Sequence, residues 1–133
     1  MEHYLIDTNI IIDMLLDRES ADAACAVIDG AEQGKYRLYM CALSMTNIYY
    51  SIRKYMSHEE RINCLIQLRE VIDILPVSAI VLDNALHSEW KDFEDAVQYY
   101  SAKLNPTIKG IITRNEKDFK LSDIKILSSY DFL

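Results

Sequence analysis

Short apolar runs alternate along the chain with longer stretches whose apolar residues recur every three or four positions. The two periods mark strands and helices respectively. Tyr4-Leu5-Ile6 is an apolar triplet ending in Asp7 and reads as a short buried strand, and the pattern turns helical after Asn9. A second helix carries Ala21, Ala24, Cys25, Ile28 and Ala31 along one stripe, with Gly34 as its stop. Arg37-Leu38-Tyr39-Met40 reads as a strand, and Ser44 then opens a helix whose face is Met45, Ile48, Tyr49, Ile52 and Met56. Another helix starts near Ser57, with Glu60 three residues on, where a capping box places it. Val71 to Leu75 is a strand closed by Pro76, and Ile80 to Trp90 a helix. Asp92 caps the next helix, whose stripe is Phe93, Ala96, Val97, Tyr100 and Leu104. Lys109 to Thr113 and Lys125 to Leu127 complete the strands.

Short apolar strands separated by helices specify an α/β domain built on a mostly parallel sheet. With three glycines, two prolines and no low-complexity stretch, residues 1–133 contain no evident linker or repeat and are read as one domain. In such sheets ligands bind beyond the carboxyl ends of the strands. Asp7-Thr8-Asn9, after the first strand, and Arg114-Asn115 to Asp118, after the fourth, are therefore the places to look.

Composition narrows the possibilities. No apolar run is long enough to cross a membrane. The start, Met1-Glu2-His3-Tyr4, lacks the basic region and cleavage site of a secretory signal, so a cytoplasmic protein is expected. Cys25, Cys41 and Cys64 are odd in number and lack CxxC spacing, which argues against disulfides and zinc knuckles. Cys25 reads as a small core residue. His3, His58 and His87 show no metal-binding or triad spacing, and no glycine loop is present to cradle a nucleotide. The net charge of −7 is adverse for a nucleic-acid partner, although a local basic rim can still steer RNA and bound metal offsets part of the acid.

The acids carry the candidate chemistry. Asp7 ends an apolar strand, where a carboxylate is costly unless it is paired, hydrogen-bonded or metal-bound; helix capping is the competing reading. Asp92 and Asp95 share one side of a helix's first turn, where acids also suit the helix dipole. Capping accounts for Asp92, whereas Asp95 is free to face a cation shared with a strand end. Asn115 and Asp118 follow a strand, in residue types that also favour ordinary turns. Acids from separate elements that meet at one sheet end repel one another, and a divalent cation removes the repulsion. Oxygen donors select hard ions, so Mg²⁺ or Mn²⁺ is expected. Such an ion activates water for in-line attack on a phosphodiester, and a pair of ions would sit about 3.5–4 Å apart.

In order along the chain, Tyr4 to Asp13, Ser44 to Tyr50, Asp92 to Ala96 and Ile112 to Phe119 resemble the four conserved segments of the PIN-domain family, over nearly the whole length. The resemblance implies a Rossmann-like three-layer fold, Mg²⁺- or Mn²⁺-dependent ribonuclease chemistry on an RNA substrate, and Asp7 and Asp95 as first and third acids. Many small prokaryotic members are toxins of type II toxin–antitoxin pairs, often homodimers held by a small antitoxin protein. Two positions depart from the family pattern. The second acid, usually Glu, is Asn47, and the residue after Thr113-Arg114, usually acidic, is Asn115. Asp118 stands three residues further on, and Asp13 and Glu94 are nearby reserves, with Asp13 read as structural. The expected site is therefore Asp7, Asn47, Asp95, Asn115 and Asp118, with Asp7, Asp95 and Asp118 as metal ligands.

Two rivals remain. A PIN-like scaffold that binds RNA or a protein without catalysis fits Asn47 and the acidic balance. A metal-dependent phosphatase or signalling domain needs a nucleophilic Asp with a Lys at the site, and no such Lys can be placed. The adjacent pairs Tyr49-Tyr50 and Tyr99-Tyr100 suggest core packing or a dimer face rather than base stacking. For Arg114, a phosphate contact and a salt bridge are both open.

Overall fold

The computed structural model describes all 133 residues. Five strands, β1 (Glu2–Ile6), β2 (Tyr36–Cys41), β3 (Ile72–Leu75), β4 (Gly110–Thr113) and β5 (Lys125–Ser128), form one sheet in the order β3-β2-β1-β4-β5. Every neighbouring pair is parallel, so the sheet is wholly rather than mostly parallel. Six helices surround it: α1 (Thr8–Leu15), α2 (Ala21–Glu32), α3 (Ala42–Ser51), α4 (His58–Val71), α5 (Ala79–Leu86) and α6 (Phe93–Lys103). Short 3₁₀ turns lie at Glu116–Phe119 and Ser129–Phe132.

Alternation along the central strands assigns the helices to faces. Ile6 and Ile112 point into a cluster with Ile10 and Ile11 of α1, Val27 of α2, Ile48 of α3 and Leu68 of α4. Their strand neighbours Leu5 and Ile111 point the other way, to Tyr99 and Ala102 of α6 and to Phe119. On that second face Cys41 packs with Val81 and Ala85 of α5 and Ala96 and Val97 of α6. The result is three layers, with β1 and β4 buried on both sides, which is why they read as continuous apolar runs.

Chain order reverses between β1 and β4, which lie side by side although α1 to α6 separate them in sequence. Their carboxyl ends are locked together where the Asp7 N–H donates to the Ile112 carbonyl at 2.9 Å. This is the topological switch point, where a parallel sheet opens a crevice.

Local signals explain the boundaries. Ser57 and Glu60 form the expected capping box of α4. Gly34 follows α2 with φ +77, a left-handed conformation that favours glycine. Gly30 leaves room for the Tyr36 hydroxyl, which donates to the Val27 carbonyl at 2.6 Å.

Several sequence expectations are corrected. The Cys25 side of α2 faces solvent, and the buried face is Ala24, Val27 and Ile28, one position round the helix. The third helix starts at Ala42, directly after β2, so Ser44 is an interior residue turned inward, and Met56 lies beyond the helix end. Val71 ends α4 rather than starting β3. The fifth helix stops at Leu86 because the Ser88 hydroxyl donates to the Ala85 carbonyl and accepts from the Trp90 N–H. On α6, Phe93 and Leu104 are exposed, while Gln98, Tyr99, Ser101 and Ala102 join Ala96 and Val97 inside.

Candidate active site

Asp7 sits between β1 and α1 and caps α1, so capping and site chemistry are not alternatives here. Its side chain is 2% exposed. Oδ2 accepts from the Thr113 hydroxyl at 2.8 Å, and Oδ1 accepts from the Gln98 amide at 3.1 Å and the Asn9 N–H at 3.4 Å. All three donors are uncharged. Burial pushes the Asp7 carboxyl above its ordinary range, and the Thr113, Gln98 and Asn9 hydrogen bonds and the more distant Arg114 charge pull it back only in part.

Asp95 lies in the first turn of α6, its N–H held by the Asp92 carboxylate at 2.9 Å. Burial, followed by the charges of Asp7, Asp92, Asp118 and Glu94, pushes it up from 3.8 to about 7. Glu94 is raised as well, by burial first; an Asn47 hydrogen bond opposes that shift, and the Asp7 and Asp92 charges add to it. Two of the predicted ligands, Asp7 and Asp95, thus face one another electrostatically. Asn47 is directed to Glu94, a residue considered only as a reserve.

Asp118 lies in the exposed 3₁₀ turn after β4. With Asp92 and Asp95 it lines an open groove of about 440 Å³, where Lys91, Lys117 and Lys120 supply positive charge and Trp90 an apolar surface. Asn115 precedes that turn, half-buried, with its N–H on the Thr113 hydroxyl at 3.1 Å. Arg114 resolves to a salt bridge: Nη1 lies 2.6 Å from Asp13 Oδ2. Asp13 also receives Arg18 at 3.3 Å and the Ser20 hydroxyl at 2.9 Å.

Gln98 and Ser44 were missed. Gln98 is 1% exposed and links Asp7 to Thr8, whose hydroxyl lies 2.6 Å from that of Ser44. A signal existed for Gln98, which is three and four residues after Asp95 and Glu94 and so on their side of α6. Thr8 itself serves Gln98 rather than Asp7.

The donor set is all oxygen and mutually repelling, which is the chemistry a hard divalent ion takes. It is sparse, however, because no three Asp, Glu, His or Cys side chains are gathered closely enough to hold a metal ion.

Residues 3–117 match the sequence profile of the PIN domain. The chain belongs to the PIN-domain family. Solved structures share the fold of this PIN domain. A chain of a toxin–antitoxin complex from Klebsiella pneumoniae superposes with TM-score 0.71 at 22% identity, covering 96% of this chain and 98% of that one. A chain of VapBC-1 from nontypeable Haemophilus influenzae gives 0.70 at 19%, with the same coverage. A chain of VapBC2 from Rickettsia felis, bound to a promoter DNA fragment, gives 0.69 at 18%, covering 94% and 96%. No curated protein sequence matches significantly.

Proposed function

We propose that this PIN-domain protein is a divalent-metal-dependent endoribonuclease, acting in the cytoplasm as the toxin of a type II toxin–antitoxin pair. One observation carries the catalytic reading. Asp7 is a buried carboxylate at the switch point whose hydrogen-bond donors are all uncharged, and its charge helps push Asp95 to about 7. Asp7 and Asp95 would hold Mg²⁺ or Mn²⁺, and Asp118, which is not gathered with them here, would have to close in from the groove wall, with carbonyl oxygens of Asn47 and Asn115 completing the set. When bound, such an ion would lower the pKa of a water and offset phosphate charge. Lys91, Lys117 and Lys120 would meet the RNA backbone along the groove, whose lining also carries Glu89, Asp92, Asp95 and Asp118, so bound metal would be needed to offset its acids. The toxin assignment, with a small antitoxin as partner, is supported by the toxin–antitoxin complexes among the structural neighbours, and a homodimer is the assembly we propose with it.

The test is cleavage of total RNA in Mn²⁺ by the parent protein and by Asp7→Asn. The proposal expects cleavage by the parent and loss of it in the variant; equal cleavage by both refutes it.

A second reading, a PIN scaffold that binds RNA or a protein without cutting, is favoured by Asn47 and by the lack of a gathered three-acid set. In that case the parent binds RNA through the groove lysines and leaves it intact in every divalent metal.

A further inference from the structure

We propose that Gln98 is the positioning residue of the candidate site, fixing the Asp7 carboxylate so that a single oxygen direction is left for a cation. This rests on the metal-site reading above.

The orientation of the Gln98 side chain follows from its partners. The Thr8 backbone N–H can only donate, and it lies 3.3 Å from the Gln98 carbonyl oxygen. The amide nitrogen must therefore point the other way, and it meets Asp7 Oδ1 at 3.1 Å. The Thr8 hydroxyl, 3.4 Å from the same Gln98 oxygen and 2.6 Å from Ser44 Oγ, reinforces that assignment. Gln98, Thr8 and Ser44 are each 1% exposed, so this relay from α3 through the start of α1 to α6 is shielded from water.

A buried amide costs free energy unless its groups are satisfied. An apolar side chain of similar length would fill the same buried position. What it would lack is a donor for Asp7.

Acceptor capacity then sets how Asp7 binds. An ionised carboxylate offers about four lone-pair directions. Oδ1 takes two donors, Gln98 and Asn9, and Oδ2 takes one, Thr113. The remaining direction belongs to Oδ2. Without Gln98, Oδ1 regains a free direction and the carboxylate loses one of its three tethers.

Gln98→Met separates positioning from packing: it keeps the length and removes both the acceptor for Thr8 and the donor to Asp7 without adding a charge. Mn²⁺ affinity is measured by calorimetry without RNA, near-UV circular dichroism and melting report the fold, and RNA cleavage is split into kcat and KM. The folded variant is expected to lose Mn²⁺ affinity by about tenfold or more, as outer contacts to metal ligands do. Its kcat should fall while KM changes little. A Gln98→Met protein that binds Mn²⁺ within about twofold of the parent overturns the positioning role, while parent binding leaves the metal site standing. A parent that binds no Mn²⁺ overturns the metal site and the positioning role together. If Gln98→Met does not fold, Ser44→Ala, which weakens the same relay, is expected to lose affinity in the same direction, and unchanged affinity there counts against the proposal.

Discussion

Asp7 and Asp13 are six residues apart at the two ends of α1, and both are buried, at 2% and 1% exposure. Asp13 is met by two guanidinium groups, Arg114 at 2.6 Å and Arg18 at 3.3 Å, and by the Ser20 hydroxyl. Asp7 is met by an amide, a hydroxyl and a backbone N–H. The first carboxylate has its countercharge inside the protein and holds the structure together. The second has its geometry fixed by neutral donors with no charged group in contact, and burial raises its carboxyl despite those donors and the more distant Arg114 charge. Burial alone marks neither as functional. The sign of the partners distinguishes them.

The largest expected effect lies with Asp13. Removing one partner of a buried ion pair leaves the other uncompensated. Because the Arg114 and Arg18 side chains are 35% and 50% exposed and can turn to water, the cost falls at the low end of the usual range. Asp13→Asn should lose about 3 kcal/mol in urea unfolding. Arg114→Met, which leaves Asp13 with Arg18 and Ser20, should lose about 2 kcal/mol by the same measure.

The acids of the site should behave oppositely. Asp95 titrates at about 7 in the folded protein and at 3.8 ordinarily. The folded state therefore binds this proton more tightly than the unfolded chain, and the group's contribution to stability is lost as pH rises from about 4 to about 7. Asp95→Asn should abolish that slope in metal-free melts. Above about pH 7 it should gain on the order of 1 kcal/mol over the parent, a figure discounted for solvent screening of a half-buried group. The smallest effect is that of Asp7→Asn, which should unfold in the same urea concentration as the parent or a higher one in metal-free neutral buffer. A destabilisation comparable with that of Asp13→Asn would erase the distinction between the two residues.

How much of this was legible in the sequence follows the range of each interaction. The central strands were readable because Tyr4-Leu5-Ile6 and Ile111-Ile112 are adjacent apolar residues, which burial on both faces imposes. The capping box at Ser57 was readable because its partners are three residues apart. Asp7 stood out as an acid ending an apolar strand and Asp95 as a first-turn acid left free once Asp92 caps the helix, and the family pattern joined them. Gln98 did not, because a glutamine within a helix reads as solvent-facing until a partner 91 residues away, Asp7, is known. The same distance problem hid the Arg114–Asp13 pair, whose members are 101 residues apart. The α6 stripe was misjudged for a related reason: Gln98 and Ser101 are polar and buried, so hydrophobicity alone rotates the inferred face toward Phe93 and Leu104. Cys25 failed on a small angle, since Ala24 and Ile28 beside it are buried while it is not.

In the proposed site, Asp7 carries a charge that the protein leaves for a cation to balance. The most direct measurement is the shift in melting temperature caused by millimolar Mn²⁺ at slightly alkaline pH, in the parent, Asp7→Asn and Asp13→Asn. A shift in the parent that persists in folded Asp13→Asn and vanishes in Asp7→Asn is the predicted result. An equal shift in the parent and Asp7→Asn, or no shift in the parent, contradicts it.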